Sequence, residues 1–410
     1  AQINVPRDYW TQVIDIELPP IVRFERQGGG KEAIENAAKL LSKAKFPVIL
    51  SGAGVVLGGA IDECKKLAEK LDAPVCNGYQ HNDSFPGSHP LAVGPLGYNG
   101  SKAAMELISK ADVVLALGTR LNPFSTLPGY GIDYWPKKAT IIQVDMNPDR
   151  IGLTKKVSVG ICGDAKQVAQ QILDKLSSDA GNTGREERKN LIHKTKSAWL
   201  QTLSGLDHEE DDPGTVWNKE ARERDKDRMS PRQAWRAIQD ALPQDAIISS
   251  DIGNNCAIGN AYPTFEKPRK YLAPGLFGPC GYGFPAILGA KIGCPDTPVV
   301  GFAGDGAFGI SMNEMSSCAR KEWPAITMVI FRNYQWGAEK RNSILWFDDN
   351  FVGTELDPEL SYAKVANACG LKGVTCKTME ETTKAIKQSC EDQKKGITTF
   401  IEIILNQELG

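Results

Sequence analysis

Apolar residues in this chain cluster into short continuous runs, set between longer stretches where they recur every three or four positions. The run 47–50, followed by Ser51-Gly52-Ala53-Gly54, predicts a buried strand that ends in a glycine turn. Helical spacing precedes it over 31–45 and follows it over 59–71. The alternation continues through strand 74–77, helix 101–110, and strands 113–117 and 140–145. Val/Ile/Leu runs separated by helices indicate a parallel sheet covered on both faces, so residues 20–178 are expected to form one doubly wound α/β domain. A second α/β unit is expected over 230–410. It starts at Ser230-Pro231, with Ser as the helix cap and Pro in the first turn. Strands are predicted at 246–250, 298–303, 325–331 and 399–405, and a helix runs from Pro285 to the stop at Gly293-Cys294-Pro295. Between the two units, 179–229 is dense in Asp, Glu, Lys and Arg and reads as a charged linker with one helix, 185–203, inside it. Residues 1–6 read as a strand completing a sheet outside this sequence, with a Pro-containing connector to about residue 19.

The totals agree with two or three globular domains: 410 residues, 41% hydrophobic, 24% charged, net charge -2. So small a net charge leaves no electrostatic footprint for nucleic acid or an anionic membrane. No apolar run approaches the roughly 20 residues of a membrane span. The ten cysteines contain no CxxC pair, which argues against a zinc site or a disulfide framework. Buried thiols in a reducing cytoplasm are the expectation.

Chemistry concentrates in the second unit. In Gly301-Phe302-Ala303-Gly304-Asp305-Gly306-Ala307-Phe308 an apolar strand meets a carboxylate bracketed by two glycines, and a helix starts at once. The helix presents Phe308, Met312, Met315 and Ala319 on one face. Ligands of open α/β sheets collect at the carboxyl ends of strands, and Gly304 and Gly306 let the backbone approach a ligand closely. The amide of Ala307 can then donate to a phosphate oxygen. Twenty-eight residues on, the next strand ends in Arg332-Asn333-Tyr334-Gln335. Neighbouring parallel strands would bring Asp305 and Asn333 to one sheet edge. Together with the Gln335 backbone carbonyl they form an oxygen-rich set suited to Mg²⁺ beside a diphosphate.

This spacing of Gly-Asp-Gly and strand-end Asn resembles the thiamine-diphosphate motif. The family usually carries Asn-Asn where this chain has Arg332-Asn333. The resemblance implies that Gly278-Pro279-Cys280-Gly281-Tyr282-Gly283-Phe284-Pro285 wraps the thiazolium ring, with Cys280 where relatives place a larger Met, Leu or Ile. It also implies that Gly253, Asn254 and Asn255, after an earlier strand, contact the diphosphate. The first unit resembles the central domain of acetolactate-synthase-like enzymes, where relatives hold FAD or ADP. Its Gly52-Ala53-Gly54 lacks the full dinucleotide fingerprint, so a structural role and an adenine-nucleotide or coenzyme A site both stand. Asp145 and Asp164 read as turn caps.

Within that superfamily, residues 333–342, 351–353, 94–102, 118–124 and 128–131 look like the sulfoacetaldehyde acetyltransferase subfamily. The implied reaction takes sulfoacetaldehyde and phosphate to acetyl phosphate and sulfite, in taurine or sulfonate catabolism, by a homodimer or homotetramer. Both substrates are anions, so cations are expected around them: Lys340 and Arg341 first, then Arg120 and Lys102. His81 and His89 are candidates for reaching the site. The resemblance further implies that residues 1–10 finish a pyrimidine-binding domain that bears the cofactor-activating glutamate, so that the 410 residues alone are expected to be inactive. An acetolactate-synthase-like carboligase and a non-catalytic cofactor-binding fragment are the alternatives.

Overall fold

A computed structural model describes residues 3–22, 25–205, 223, 225–275, 277–320, 322–348 and 350–407. They contain two six-stranded, all-parallel sheets with helices on both faces. The first comprises β1 (Pro47–Ser51), β2 (Val75–Asn77), β3 (Ala92–Pro95), β4 (Val113–Leu117), β5 (Thr140–Asp145) and β6 (Val159–Cys162), in the order β3-β2-β1-β4-β5-β6. Every residue of β1 and β4 is buried, as their unbroken apolar runs require. Asp164 caps the helix Ala165–Lys175 by accepting from the amides of Lys166 and Gln167, and Asp145 accepts from the Asn147 amide. Strands β3 and β6 escape sequence reading because they are four residues long and interrupted by glycine.

The second sheet comprises β7 (Ile247–Ser250), β8 (Tyr271–Leu272), β9 (Val299–Gly304), β10 (Thr327–Arg332), β11 (Lys372–Cys376) and β12 (Thr399–Ile404), ordered β11-β12-β10-β9-β7-β8. The chain winds both ways from β7, so β7 and β9 flank the point where the strand order reverses. Crevices for ligands open at such points. Trp235, 1% exposed, packs on Phe302 and Phe331 with ring centroids 4.8 and 5.2 Å away, and its indole N–H donates to the Asn255 carbonyl at 2.6 Å. The hydrophobic core thereby fixes the short helix beyond β7, Asn254–Ile258. Ser230 caps its helix as expected, in a reciprocal box with Gln233.

Residues 3–6, expected to complete a sheet outside this sequence, pair with neither described sheet; a 3-10 turn, Arg7–Thr11, follows them, and the whole stretch 3–22 is exposed. Two expectations need correction. The helix expected at 185–203 is present as Arg185–Gly205, but residues 179–205 are not a solvated linker around it. The helix Arg185–Gly205 docks on the first unit through Ile192 and Trp199. At its start Arg188, 1% exposed, donates to the carbonyls of Lys45, Leu71, Asp72, Gly181 and Thr183. A charged residue that reads as solvated is here the buried staple of a domain. The run Asp211-Asp212-Pro213-Gly214 lies outside the described residues. Finally, the cysteines are all unpaired, but Cys162 and Cys294 are exposed rather than buried, because each stands at the end of its element.

The two units touch directly. Asp83 of the first accepts from the amides of Lys270 and Tyr271 at edge strand β8, and the Asn82 amide donates to the carbonyls of Asn260 and Pro263. Among the described residues no helix is long and apolar enough to cross a membrane.

Candidate functional site

Strands β7, β9 and β10 are adjacent and parallel, with Phe331 of β10 level with Gly304 of β9. Their carboxyl ends therefore open together. A small cavity of about 60 Å³ lies there, lined by Gly253, Asn254, Asn255, Cys280, Gly304, Asp305, Gly306, Ala307, Asn333 and Gln335, with Trp336 to Glu339 along the rim. The Gly-Asp-Gly turn and the strand-end Asn, read separately along the chain, line one concavity.

Asp305 is 1% exposed. One carboxylate oxygen, Oδ1, accepts from the Gly306 amide at 3.0 Å. The other, Oδ2, accepts from the Tyr334 amide at 2.7 Å and from Arg332 Nη1 at 3.1 Å. A carboxylate offers about four acceptor positions, so capacity remains on Oδ1. Burial pushes the Asp305 pKa up to about 6, against the pull of the Arg332 guanidinium and the Tyr334 amide. Beside it, the Asn333 amide oxygen is buried and finds no donor among the described residues; the same is true of the Asn255 amide oxygen. A buried acceptor without a partner costs about 1–3 kcal/mol, and a hard cation bridging Asp305 and Asn333 would remove that cost. The residues present thus fit a Mg²⁺ ion and the phosphate oxygens that accompany it.

Glycine is needed at this cradle for space. A Cβ on Gly306 would stand 2.8 Å from the Trp336 ring. Gly253, with φ +124°, sits where L side chains rarely go. Asp251, at the end of β7, holds the neighbouring loop: it accepts from the amides of Ile252, Gly281 and Gly283 at 2.8, 3.1 and 2.7 Å. Burial raises its pKa, opposed by those amides. Cys280 lines the cavity, and burial, with Asp251 and Glu339 nearby, raises its pKa, so it stays a neutral thiol. Gly278 stands apart from the lining; a Cβ there would meet the Ile252 side chain.

The cationic candidates part ways. Lys340 is neutralised by Glu355 at 2.5 Å and lies over the Phe351 ring. Arg341 donates through Nη1 to the Tyr98 hydroxyl at 2.8 Å, while its Nε is buried and has no partner among the described residues. Tyr98 in turn reaches the Asn254 amide oxygen at 3.4 Å. Tyr98 belongs to the first unit, so its pairing with Arg341 was invisible in sequence; its position inside the subfamily-like stretch 94–102 was the available signal. Arg120 and His81 line a different cavity, of about 630 Å³, at the strand ends of the first sheet. There burial, and secondarily Arg120, lowers the His81 pKa to about 4. His89 pairs with Glu69 at 3.3 Å, and Lys102 opens the helix Lys102–Ile108. Among the described residues no group of three His, Cys, Asp or Glu side chains is placed to hold a metal; the site's oxygen donors include an amide.

Residues 34–172 match the family model for the thiamine pyrophosphate enzyme central domain, and 251–403 match that for the C-terminal TPP binding domain. The chain is 77% identical over 410 residues to a probable sulfoacetaldehyde acetyltransferase of Rhizobium meliloti (strain 1021), covering 100% of this chain and 69% of that protein. It is 75% identical to a sulfoacetaldehyde acetyltransferase of Roseovarius nubinhibens (strain ATCC BAA-591 / DSM 15170 / ISM), covering 100% and 68%. A probable acetolactate synthase large subunit of Methanocaldococcus jannaschii is 29% identical over 402 residues, covering 95% of this chain and 64% of its own length.

Proposed function

The chain belongs to the sulfoacetaldehyde acetyltransferase family of thiamine pyrophosphate enzymes, and from that premise we propose that it converts sulfoacetaldehyde and phosphate to acetyl phosphate and sulfite. The observation that carries the reading is that Asp305 and Asn333, whose buried amide oxygen has no partner among the described residues, line one glycine-rich cavity at adjacent strand ends. When bound, thiamine diphosphate supplies the carbanion-stabilising centre that the carbon–sulfur cleavage needs. The protein's part is to hold and orient. Asp305, Asn333 and the Gln335 carbonyl are the ligands for Mg²⁺, and Gly304, Gly306 and the Ala307 amide form the backbone cradle for the diphosphate. Gly253, Asn254 and Asn255 close it from the β7 side, and Asp251 holds the loop carrying Cys280 against it.

Arg341 is the better of the two first candidates for gripping a sulfonate or phosphate. Its Nε is a buried donor without a partner among the described residues, whereas the Lys340 charge is met by Glu355. We assign the protein to the cytoplasm, as a homodimer or homotetramer in sulfonate breakdown; ten unpaired thiols support a reducing compartment.

The test is product analysis on the protein at the full length of its relatives, of which this chain covers 69% and 68%, with sulfoacetaldehyde, phosphate, thiamine diphosphate and Mg²⁺. Sulfite and acetyl phosphate in equal amounts are expected. Acetolactate and carbon dioxide from pyruvate, with no sulfite from sulfoacetaldehyde, would replace this function with that of a carboligase. Asp305→Ala should abolish tight cofactor binding in calorimetry, and Asn333→Ala should weaken it less, since an amide carries no formal charge.

A further inference from the structure

Arg332 stands where the family motif carries Asn, and its side chain is almost wholly enclosed. Its guanidinium is held from several directions. Nη1 donates to Asp305 Oδ2 at 3.1 Å; Nη2 donates to the carbonyls of Asp357 and Leu360. Nε lies 3.8 Å from Glu402 Oε1 without a hydrogen bond. The rings of Tyr334 and Tyr362 face the group, their centroids 4.4 and 5.3 Å from Cζ. Glu402 is anchored in turn by the Ser361 hydroxyl at 2.6 Å and the Tyr362 amide at 3.1 Å. So fixed, the cation cannot swing away when a metal arrives.

We propose that Arg332 is a positioning residue that occupies one oxygen of Asp305, leaves the other for the divalent cation, and makes binding of that cation depend on the cofactor's diphosphate. The inference rests on the Mg²⁺–thiamine diphosphate reading of the site. Its physical basis is charge. Asp305, Arg332 and Glu402 together carry a formal charge of one negative unit, from two carboxylates and one guanidinium. A divalent ion approaching alone meets a carboxylate already shared with a fixed positive group, in a buried place where charges are weakly screened. The diphosphate brings the negative charge that Arg332 withholds from the metal by sharing Asp305, so cation and cofactor bind as a cooperative pair. With Asn at 332 the carboxylate would keep its full charge for the metal, and the dependence would relax. The motif's departure at this position therefore changes the order of assembly while retaining the ligands.

The experiment measures Mn²⁺, an EPR-visible stand-in for Mg²⁺, binding to the cofactor-free protein with and without thiamine diphosphate. Wild type is compared with Arg332→Asn, Arg332→Lys and the double variant Arg332→Asn/Glu402→Gln, which removes the stranded carboxylate should the single variant fold poorly. Binding is reciprocal, so one coupling factor describes both ligands. Wild type should show Mn²⁺ affinity rising about a hundredfold or more with cofactor. In Arg332→Asn or the double variant, Mn²⁺ alone should bind about tenfold more tightly and the coupling should shrink correspondingly, while Arg332→Lys restores it. An unchanged coupling factor in a folded Asn-containing variant would overturn the role of Arg332. Absence of Mn²⁺ binding to wild type even with thiamine diphosphate would instead overturn the metal site itself.

Discussion

Replacing Tyr98 with Phe removes one oxygen atom and little else, which makes it a sharp probe of how the two units share the site. That oxygen accepts from Arg341 Nη1 at 2.8 Å and reaches the Asn254 amide oxygen at 3.4 Å. The hydrogen bond from the Asn260 side-chain amide to the Tyr98 carbonyl is untouched. Burial raises the phenol's pKa, so it is neutral at ordinary pH and can accept from the guanidinium while donating to Asn254. A hydrogen bond to a charged group contributes about 1.5–3 kcal/mol. If that contact aims Arg341 at a substrate anion, its loss should lower kcat/KM by roughly ten- to a hundredfold. The loss should appear in the saturation curve for phosphate or for sulfoacetaldehyde. Thiamine diphosphate affinity should change by no more than a few-fold, because only the long contact to Asn254 touches that side of the cavity. Steady-state kinetics on the protein at the full length of its relatives, with each anion varied separately, alongside cofactor titration, decides the matter. Wild-type saturation by both anions in a folded Tyr98→Phe protein would refute the reasoning and reduce the Tyr98–Arg341 pair to a tie between domains.

Three further outcomes are expected. Gly306→Ala should cost about 1–3 kcal/mol through overpacking against Trp336 and weaken cofactor binding; an unchanged melting temperature with unchanged calorimetric affinity would contradict the cradle geometry. Arg188→Met should lower stability by about 3–5 kcal/mol in urea unfolding, because several of its five carbonyl acceptors lose their donor inside the protein; a loss near zero would return that helix to the status of a linker. His81 has its pKa lowered from 6.5 to about 4, so between these values the unfolded chain binds a proton that the folded chain refuses. Stability from this group is complete above pH 6.5 and lost as pH falls toward 4, by about 3 kcal/mol at most. Asp305 shifts the opposite way, its raised pKa favouring the cofactor-free fold as pH falls. The informative quantity is therefore the wild type minus His81→Gln difference in melting temperature, which should shrink or reverse between about pH 7 and pH 4.5.

Much of the architecture was legible in the order of residues because it follows from local rules. Apolar runs such as 113–117 and 327–331 can be buried on both faces only in a parallel sheet, and Ser230-Pro231 and Asp164 announce helix starts through side-chain oxygens that serve nearby amides. The glycines flanking Asp305, and the Asn at the next strand's end, likewise carry meaning along the chain, since strand ends are where such sheets hold ligands. What the sequence could not supply was the fate of charged side chains. Arg188 reads as solvated, Arg332 as a departure from the motif and Arg341 as a candidate cation, but none of the three reveals its partners in sequence. Folding buries the first among five carbonyls and wedges the second against Asp305 and Glu402; the third is set against a tyrosine 243 residues away. Periodicity and turn chemistry are properties of neighbours in sequence, and they determined the sheets and the ligand-bearing turns. Desolvation, ion pairing and strand pairing depend on neighbours in space, and the tertiary structure alone decided them.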